Sequence, residues 1–203
     1  MTTPQRCPWA GPDPIYIDYH DQEWGRPLYD SRRLYELLVL EGMQAGLSWI
    51  TVLKKREAFR RAFRNFDPEQ VARYGEADLE ALLQNPAIIR HRGKLTAAVE
   101  NARAFLRLQE ARGSFAHFLW DYVDGVPIVN HPAAVEDVPA STPLSETISR
   151  DLKKWGFRFV GPTTVYAFLQ AAGLVDDHMV WCPWHTENRG TDSPCDSLEA
   201  VVK

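Results

Sequence analysis

The sequence has few cysteines and no long apolar run, and both absences limit what the protein can be. Three cysteines among 203 residues are an odd number, which argues against a disulfide framework and favours free thiols or metal ligands in a reducing compartment. No apolar run approaches the roughly 18 residues of a membrane-spanning helix, and the first residues lack the pattern of a secretory signal. We therefore expect a soluble, cytoplasmic protein that does not bind membranes.

The sequence also lacks the excess of basic residues that is common in proteins that bind nucleic acids. Its 23 lysines and arginines stand against 27 acidic residues, so composition alone favours a small-molecule enzyme, and DNA binding would need a local basic patch. Tryptophan is plentiful, in contrast, with seven in the chain. Trp9, Trp24 and Trp49 lie among polar residues in the first quarter, although core packing explains most tryptophans.

The fold class is predicted to be all-α, because helical periodicity recurs along the chain and strand-like alternation is scarce. Residues 1–30 are rich in proline, glycine and aspartate, so they are predicted to form an irregular but ordered arm instead of a helix. A helix capped by Asp30 or Ser31 follows. We expect 31–172 to form the helical core, on which the two terminal regions, 1–30 and 173–190, pack together.

Two further segments lack a helical pattern. Residues 124–143 contain four prolines and two short apolar runs, which indicate a long surface loop between two helical groups. Residues 191–203 are polar and are predicted to be a loose tail.

A pair of glycines predicts a tight turn between two helices near residues 153–164. Gly156 can adopt the left-handed conformation that ends a helix, and Gly161 with Pro162 suits the start of the next one. Such a turn exposes backbone N–H groups at a helix N-terminus, where they can bind a phosphate without reading bases. A plain helical hairpin would have the same glycine pattern. The candidate contacts to a DNA backbone are Lys153, Lys154, Arg158, Gly161 and Thr163.

Glu41 is an unexpected residue for its position. It follows Leu34, Leu37 and Leu38 at helical spacing, so it lies on the apolar face of the predicted helix. A carboxylate there either reaches water at the margin of that face or is buried and paired, in which case it lies in a pocket. Periodicity leaves both alternatives open.

Two cysteines and two histidines could share one metal ion: Cys7, His20, His178 and Cys182. The last two stand four residues apart, which puts them on one face of a helical turn. Four such ligands would form a closed tetrahedral zinc site, and its role would be structural because no position remains for a catalytic water. His185 and Cys195 are competing ligands, and ordinary cysteines and histidines without a metal are the other alternative.

Four distinctive segments support a more specific interpretation. They are YHDQEWG at 19–25, LEGMQAGLSWITVLKKRE at 40–57, IIRHRGKL at 88–95 and GFRFVGPTTVY at 156–166. Together they resemble the signature sequences of the 3-methyladenine DNA glycosylase I (Tag) family, over a stretch from about Cys7 to Cys182. The resemblance implies a helix-hairpin-helix glycosylase fold with a zinc-tethered N-terminal arm. It also implies cleavage of the N-glycosidic bond of 3-methyladenine in alkylated double-stranded DNA.

The resemblance assigns roles to individual residues as well. It implies a structural zinc ion bound by Cys7, His20, His178 and Cys182. It implies a catalytic, base-binding carboxylate at Glu41 and aromatic base contacts from Tyr16, Tyr19, Trp49, Trp9 and Trp24. These residue types suit the substrate, because alkylation at N3 gives the base a positive charge that aromatic faces and a carboxylate attract. Since that base already leaves readily, we expect pocket binding and electrostatics to outweigh acid catalysis.

One residue departs from the family pattern, and two other functions compete with the leading one. Asp176 stands where asparagine is expected, and it is either a catalytic remnant or, with Asp177, a cap of the helix that carries His178. The alternative function is a non-catalytic, zinc-containing DNA damage-binding protein. A zinc hydrolase is the third, although a closed ligand set disfavours it. We expect the protein to be a monomer.

Overall fold

The computed structural model describes residues 5–189, and α-helices make up most of this range. They are α1 (Pro14–Gln22), α2 (Ser31–Gln44), α3 (Trp49–Leu53), α4 (Arg56–Ala62), α5 (Pro68–Ala72), α6 (Glu76–Gln84), α7 (Arg92–Arg112), α8 (Phe115–Trp120), α9 (Pro143–Trp155) and α10 (Pro162–Ala171). Two-residue strands, β1 (Ile128–Val129) and β2 (Val175–Asp176), form a parallel bridge. The predicted helical class is confirmed. Within the same range, none of the helices has both the length and the hydropathy needed to cross a bilayer.

The helix α2 occupies the centre of the fold and carries residues of the candidate site. Asp30 caps it, since the carboxylate of Asp30 accepts a hydrogen bond of 2.7 Å from the backbone N–H of Arg33. Its apolar side packs against α3, α7, α8 and α10. The buried Tyr35 donates its hydroxyl to the carbonyl of Ala98, which fixes α2 against α7. Nine residues of α2 are buried, so its position is set by packing on several sides.

The turn between α9 and α10 follows the predicted pattern. Gly156 has φ 94°, the left-handed conformation that a glycine adopts most easily, and Pro162 begins α10. The hydroxyl of Ser149 donates a bond of 2.6 Å to the carbonyl of Val160, which ties the turn to α9. Two helices connected by a short turn therefore stand next to α2, and α10 is in direct contact with both α9 and α2.

The prediction that residues 1–30 contain no helix is wrong. Prolines precede α1 instead of interrupting it: Pro14 is its first residue, and the Asp13 carboxylate accepts a bond from Ile15 N–H as the cap. Within α1, Tyr19 and His20 are buried, so this helix adds side chains to the interior. Burial of its inner face stabilises a nine-residue helix that would be marginal alone.

The prediction of a helix carrying His178 is also wrong. The chain leaves β2 at Asp176 and makes a tight turn in which the N–H of Cys182 donates to the carbonyl of Met179. Asp176 therefore caps no helix. Its carboxylate instead accepts bonds from the N–H of Thr186 and from Arg189. The loop at 124–143 is as predicted apart from β1 and one turn of 3₁₀ helix at Val135–Asp137, while the tail at 191–203 lies outside the described residues, as does Cys195.

Candidate active site and metal centre

A cavity of about 220 Å³ opens between α1, α2, α3 and α10. Its walls are mainly aromatic and apolar, and no lysine, arginine or histidine is among the described residues that line it. The lining residues are Trp9, Tyr16, Tyr19, Trp24, Glu41, Gln44, Trp49, Val135, Val138, Ala167, Gln170, Asp177 and Met179. The six residues predicted to bind the base, Glu41 and five aromatics, thus meet in one cavity.

The aromatic residues form a connected cluster at one side of the cavity. The ring of Trp9 lies 5.2 Å from that of Tyr16 and 4.8 Å from that of Trp24, measured between centroids. Across the cavity wall, Tyr19 and Trp49 are 5.5 Å apart. The rings of Trp9 and Trp24 pack edge to face, and the other two pairs are tilted by 54° and 53°. Such a cluster presents rigid π surfaces to a flat ligand.

Glu41 is buried, with 4 % of its surface exposed, and its environment is unusual for a carboxylate. Its Oε2 has no hydrogen-bond partner, and burial raises the pKa of Glu41 to about 8. At neutral pH the protonated form of Glu41 is therefore favoured. The structure answers the question that periodicity left open: Glu41 lies in a pocket, without a paired cation.

Two residues of the cavity wall have a buried polar atom without a hydrogen-bond partner among the described residues. Among the described residues, Glu41 Oε2 and Trp49 Nε1 are the buried side-chain nitrogen or oxygen atoms that lack a hydrogen-bond partner. Both residues line the cavity. Because leaving such atoms unpaired costs about 1–3 kcal/mol each, a ligand that supplies a partner gains much of that free energy back.

The four predicted metal ligands converge beside the cavity. The ligand atoms of Cys7, His20, His178 and Cys182 all lie within 4.8 Å of one another, and all four residues are buried. The Sγ of Cys182 is 3.5 Å from Nδ1 of His178 and 3.6 Å from Nε2 of His20. The Sγ of Cys7 is also 3.5 Å from Nδ1 of His178.

The three sulfur–nitrogen distances of 3.5–3.6 Å fit a tetrahedral zinc ion, whereas the quartet as a whole, with separations of up to 4.8 Å, is slightly wider. Zinc bonds of about 2.0–2.3 Å at tetrahedral angles separate neighbouring ligand atoms by roughly 3.3–3.8 Å. The hydrogen bond between Cys7 and Cys182 lowers the pKa of Cys182 and raises that of Cys7, so the pair favours one thiolate, and a bound metal would have to displace the proton of Cys7. His185 is buried but lies apart from this quartet, with Nε2 2.9 Å from the carbonyl oxygen of Asn130.

The outer nitrogens of both histidines are oriented by neighbouring acceptors. His20 Nδ1 lies 2.7 Å from the Asp21 carboxylate, and His178 Nε2 lies 3.1 Å from the carbonyl oxygen of Trp24. Arg6 in turn forms a bidentate pair with Asp21. In each histidine the remaining nitrogen therefore points its lone pair at the cluster, which is the arrangement typical of metal ligands. The second contact also links the cluster to Trp24 in the cavity wall.

Comparison with known proteins identifies the family. Residues 9–186 match the model of the methyladenine glycosylase family, which is most of the chain.

The chain belongs to the methyladenine glycosylase family.

A curated relative in this family, the DNA-3-methyladenine glycosylase of Haemophilus influenzae, is 53 % identical over 92 % of this chain and 100 % of its own length. Two solved structures are similar as well. A 3-methyladenine DNA glycosylase I (TAG) superposes with a TM-score of 0.88 at 54 % identity, covering 89 % of this chain and 100 % of that one. The enzyme from Staphylococcus aureus, described for its recognition of 3-methyladenine, gives 0.87 at 46 % identity over 89 % and 96 % of the two chains.

The predicted DNA-backbone residues of this glycosylase-family chain lie at the end of α9, on the turn and at the start of α10. Lys153, Lys154, Arg158 and Thr163 are exposed there. Two of the charges have internal partners, since Lys154 pairs with Asp151 and Arg158 pairs with Glu100. No side chain caps the N-terminus of α10 at Gly161. The uncapped N–H groups at this helix end could accept a phosphate. The ion pairs of Lys154 and Arg158 leave less free positive charge here than the sequence indicates.

Sequence reasoning missed several residues of the cavity, of which Asp177 is the most notable. The sequence directed attention to Asp176, but this side chain takes no part in the cavity and accepts bonds from Thr186 and Arg189. Asp177 lines the cavity instead, and Gln44 and Gln170 add two amides. Recognising β2 would have separated the two aspartates, because neighbouring residues of an extended chain point to opposite sides.

Proposed function

We propose that this protein is a DNA-3-methyladenine glycosylase, which hydrolyses the N-glycosidic bond of 3-methyladenine in alkylated double-stranded DNA. The observation that carries the proposal is the buried, unpaired carboxylate of Glu41 inside an aromatic cavity that holds no cationic side chain among its described lining residues. The names of the family and of the relatives support the same activity.

The cavity favours a base that carries a positive charge. A damaged nucleotide must leave the duplex to reach an enclosed site, and this costs less for a poorly paired base. Once inside, 3-methyladenine attached to deoxyribose is a cation, which the rings of Tyr16, Trp49 and their neighbours attract through their faces. The positive charge of the base also balances the negative charge of an ionised Glu41, and the base can donate a hydrogen bond to Oε2. Neutral adenine offers no such compensation.

The same features promote bond cleavage. As the bond between C1′ and the base breaks, its electron pair moves to the base and neutralises the positive charge there. Water then adds to C1′ and loses a proton to solvent, which leaves an abasic sugar and neutral 3-methyladenine. Because the leaving group needs no protonation, orientation and the electrostatics of the cavity supply most of the rate enhancement.

We further propose that Cys7, His20, His178 and Cys182 bind one structural zinc ion, which tethers the N-terminal arm. The ligand distances and the oriented histidines support this. Bound zinc would cross-link two segments separated by more than 150 residues, and it would take no part in the chemistry because its four positions are filled.

Several further properties of the protein belong to the same proposal. The turn at Gly161 would bind the DNA backbone through N–H groups at the start of α10. Lys153 would add a positive charge, since it has no carboxylate partner among the described ion pairs, whereas Lys154 pairs with Asp151. The protein would act as a monomer in the cytoplasm.

A base-release assay tests the activity. Methylated DNA is incubated with the protein, and free 3-methyladenine is separated and quantified. The wild type is expected to release it, and Glu41→Gln is expected to release it at least about tenfold more slowly. Glu36→Gln serves as the matched control, because Glu36 lies on the same helix but pairs with Arg60 outside the cavity. Binding of methylated DNA without release would support the non-catalytic alternative.

A further inference from the structure

Lys94 is a buried cation that the mechanism described above does not use. It is 7 % exposed and is not among the described residues that line the cavity. Its Nζ donates to two backbone carbonyls, that of Met43 at 2.9 Å and that of Ala45 at 2.5 Å. Among residues 5–189, no carboxylate forms an ion pair with Lys94. The two carbonyls are therefore the partners that compensate for the burial of this charge.

The two carbonyls lie on either side of Gln44. This residue is the last of α2, and its side chain is one of the amides that line the cavity. The final carbonyls of a helix have no N–H partner within it, so they need donors from elsewhere. Lys94 supplies donors to the residue immediately before Gln44 and to the residue immediately after it. The ammonium group therefore fixes the backbone on both sides of Gln44.

The end of α2 also sets the relative positions of three cavity residues. Glu41 and Gln44 lie on its last turn, and Trp49 begins α3 after the connection formed by residues 45–48. Each residue of this connection is exposed, so packing against the core does little to hold it. Lys94, the third residue of α7, reaches the start of the connection from a different helix.

The attachment of α2 to α7 does not depend on Lys94. The two helices pack directly against each other, and the hydroxyl of Tyr35 donates to the carbonyl of Ala98 near the middle of their contact. A methionine in place of Lys94 would fill similar space without the cost of taking an ammonium group out of water. What lysine adds at this position is a defined end to α2, and its positive charge suits the negative end of that helix dipole.

On the basis of the glycosylase function, we propose that Lys94 is a positioning residue for the extruded base. By binding the carbonyls on either side of Gln44, it holds the amide of Gln44 and the connection to Trp49 in the arrangement that receives the base. The ammonium group does not line the cavity, so its contribution to the rate comes through geometry alone. Small displacements of the groups that orient a substrate are enough to lower a rate by one or two orders of magnitude.

Single-turnover release of 3-methyladenine from methylated DNA, measured in a double-mutant cycle, tests this role. Lys94→Met removes the ammonium group but keeps most of the side-chain volume, and it is expected to slow release about tenfold. In a Gln44→Ala background, the same substitution is expected to slow release at most about threefold, because the amide that Lys94 positions is already absent. In a Tyr16→Phe background, the factor should remain about tenfold, since Tyr16 lies on α1. A general loss of stability would give the same factor in each background.

Lys55→Met is the matched control. The Nζ of Lys55 also donates to two backbone carbonyls, those of Pro86 and Ala87, but these bonds are exposed and lie outside the cavity. This variant is expected to release 3-methyladenine at the wild-type rate. If Lys94→Met does not fold, the cycle is run with Lys94→Gln, which keeps a shorter, neutral donor and is expected to show the same dependence on Gln44 with smaller factors.

Two results would overturn the proposal: a folded Lys94 variant that releases the base at the wild-type rate, or one that loses the same factor with and without the Gln44 side chain. Absence of release by the wild type would contradict the proposed function itself, and the role of Lys94 in that reaction with it. Release by the wild type together with either of the two results would contradict the role of Lys94 alone.

Discussion

The stability of a Glu41→Gln variant relative to the wild type should increase as the pH rises from 5 to 8. Burial raises the pKa of this carboxyl from 4.5 to about 8 in the folded protein. Below pH 4.5 the carboxyl is protonated in both the folded and the unfolded chain. The free energy of unfolding is then not reduced by ionisation of Glu41. Above that pH the unfolded chain loses the proton first, and stability falls until the pH passes 8.

The expected magnitude follows from the separation of the two pKa values. Each pH unit between them corresponds to about 1.4 kcal/mol, so the wild type should lose about 3 kcal/mol between pH 5 and 8 through this group. Glutamine has no such dependence. A buried amide without partners costs about 1–3 kcal/mol, but that cost is the same at each pH. The difference in unfolding free energy between variant and wild type should therefore shift by about 3 kcal/mol in favour of the variant.

Urea unfolding at several values from pH 5 to 8, with zinc held constant, measures this difference. Glu36→Gln provides the reference, because Glu36 lies on α2 but pairs with Arg60, and ion pairs near the surface contribute at most about 1 kcal/mol. If the unfolding free energies of Glu41→Gln and the wild type change in parallel over this pH range, the pKa of Glu41 is not raised in the folded protein, and our account of its burial is incorrect.

Two pairs of substitutions, each a variant with its control, examine the metal cluster and the backbone. Cys182→Ser should release most of the zinc found by elemental analysis and lower the melting temperature, whereas His185→Gln should retain the metal; equal zinc content in both would contradict the assigned ligands. Gly173→Ala should prevent folding or cost several kcal/mol in denaturant unfolding, because φ is +68° and a Cβ would overlap the adjacent backbone. Gly46→Ala, at φ +75° with open space around it, should cost only about 1 kcal/mol, and similar losses at both positions would refute the steric argument.

The helices and the turn between α9 and α10 could be predicted because their signals are local. Asp30 caps α2, and Gly156 and Pro162 bound the turn, as expected from the conformations that these residues favour. The prediction for residues 1–30 is wrong at α1, because prolines and aspartates at the start of a helix do not exclude it. Burial of Tyr19 and its neighbours against the core outweighs that local preference, and a core contact of this kind leaves little trace in composition.

The sequence by itself determined which chemical groups the protein has: aromatic residues, two cysteines and two histidines that could bind a metal, and Glu41 on an apolar helix face. Tertiary structure decided how they act. Glu41 Oε2 lacks a partner among residues 5–189 because α1, α3 and α10 enclose it without bringing a cation from this range, and this depends on packing between distant segments. Likewise, only the extended chain at β2 separates two adjacent aspartates, so that Asp176 binds Arg189 and Asp177 faces the cavity. The sequence shows that the two aspartates are adjacent, but which of them faces the cavity is fixed only when the chain is folded.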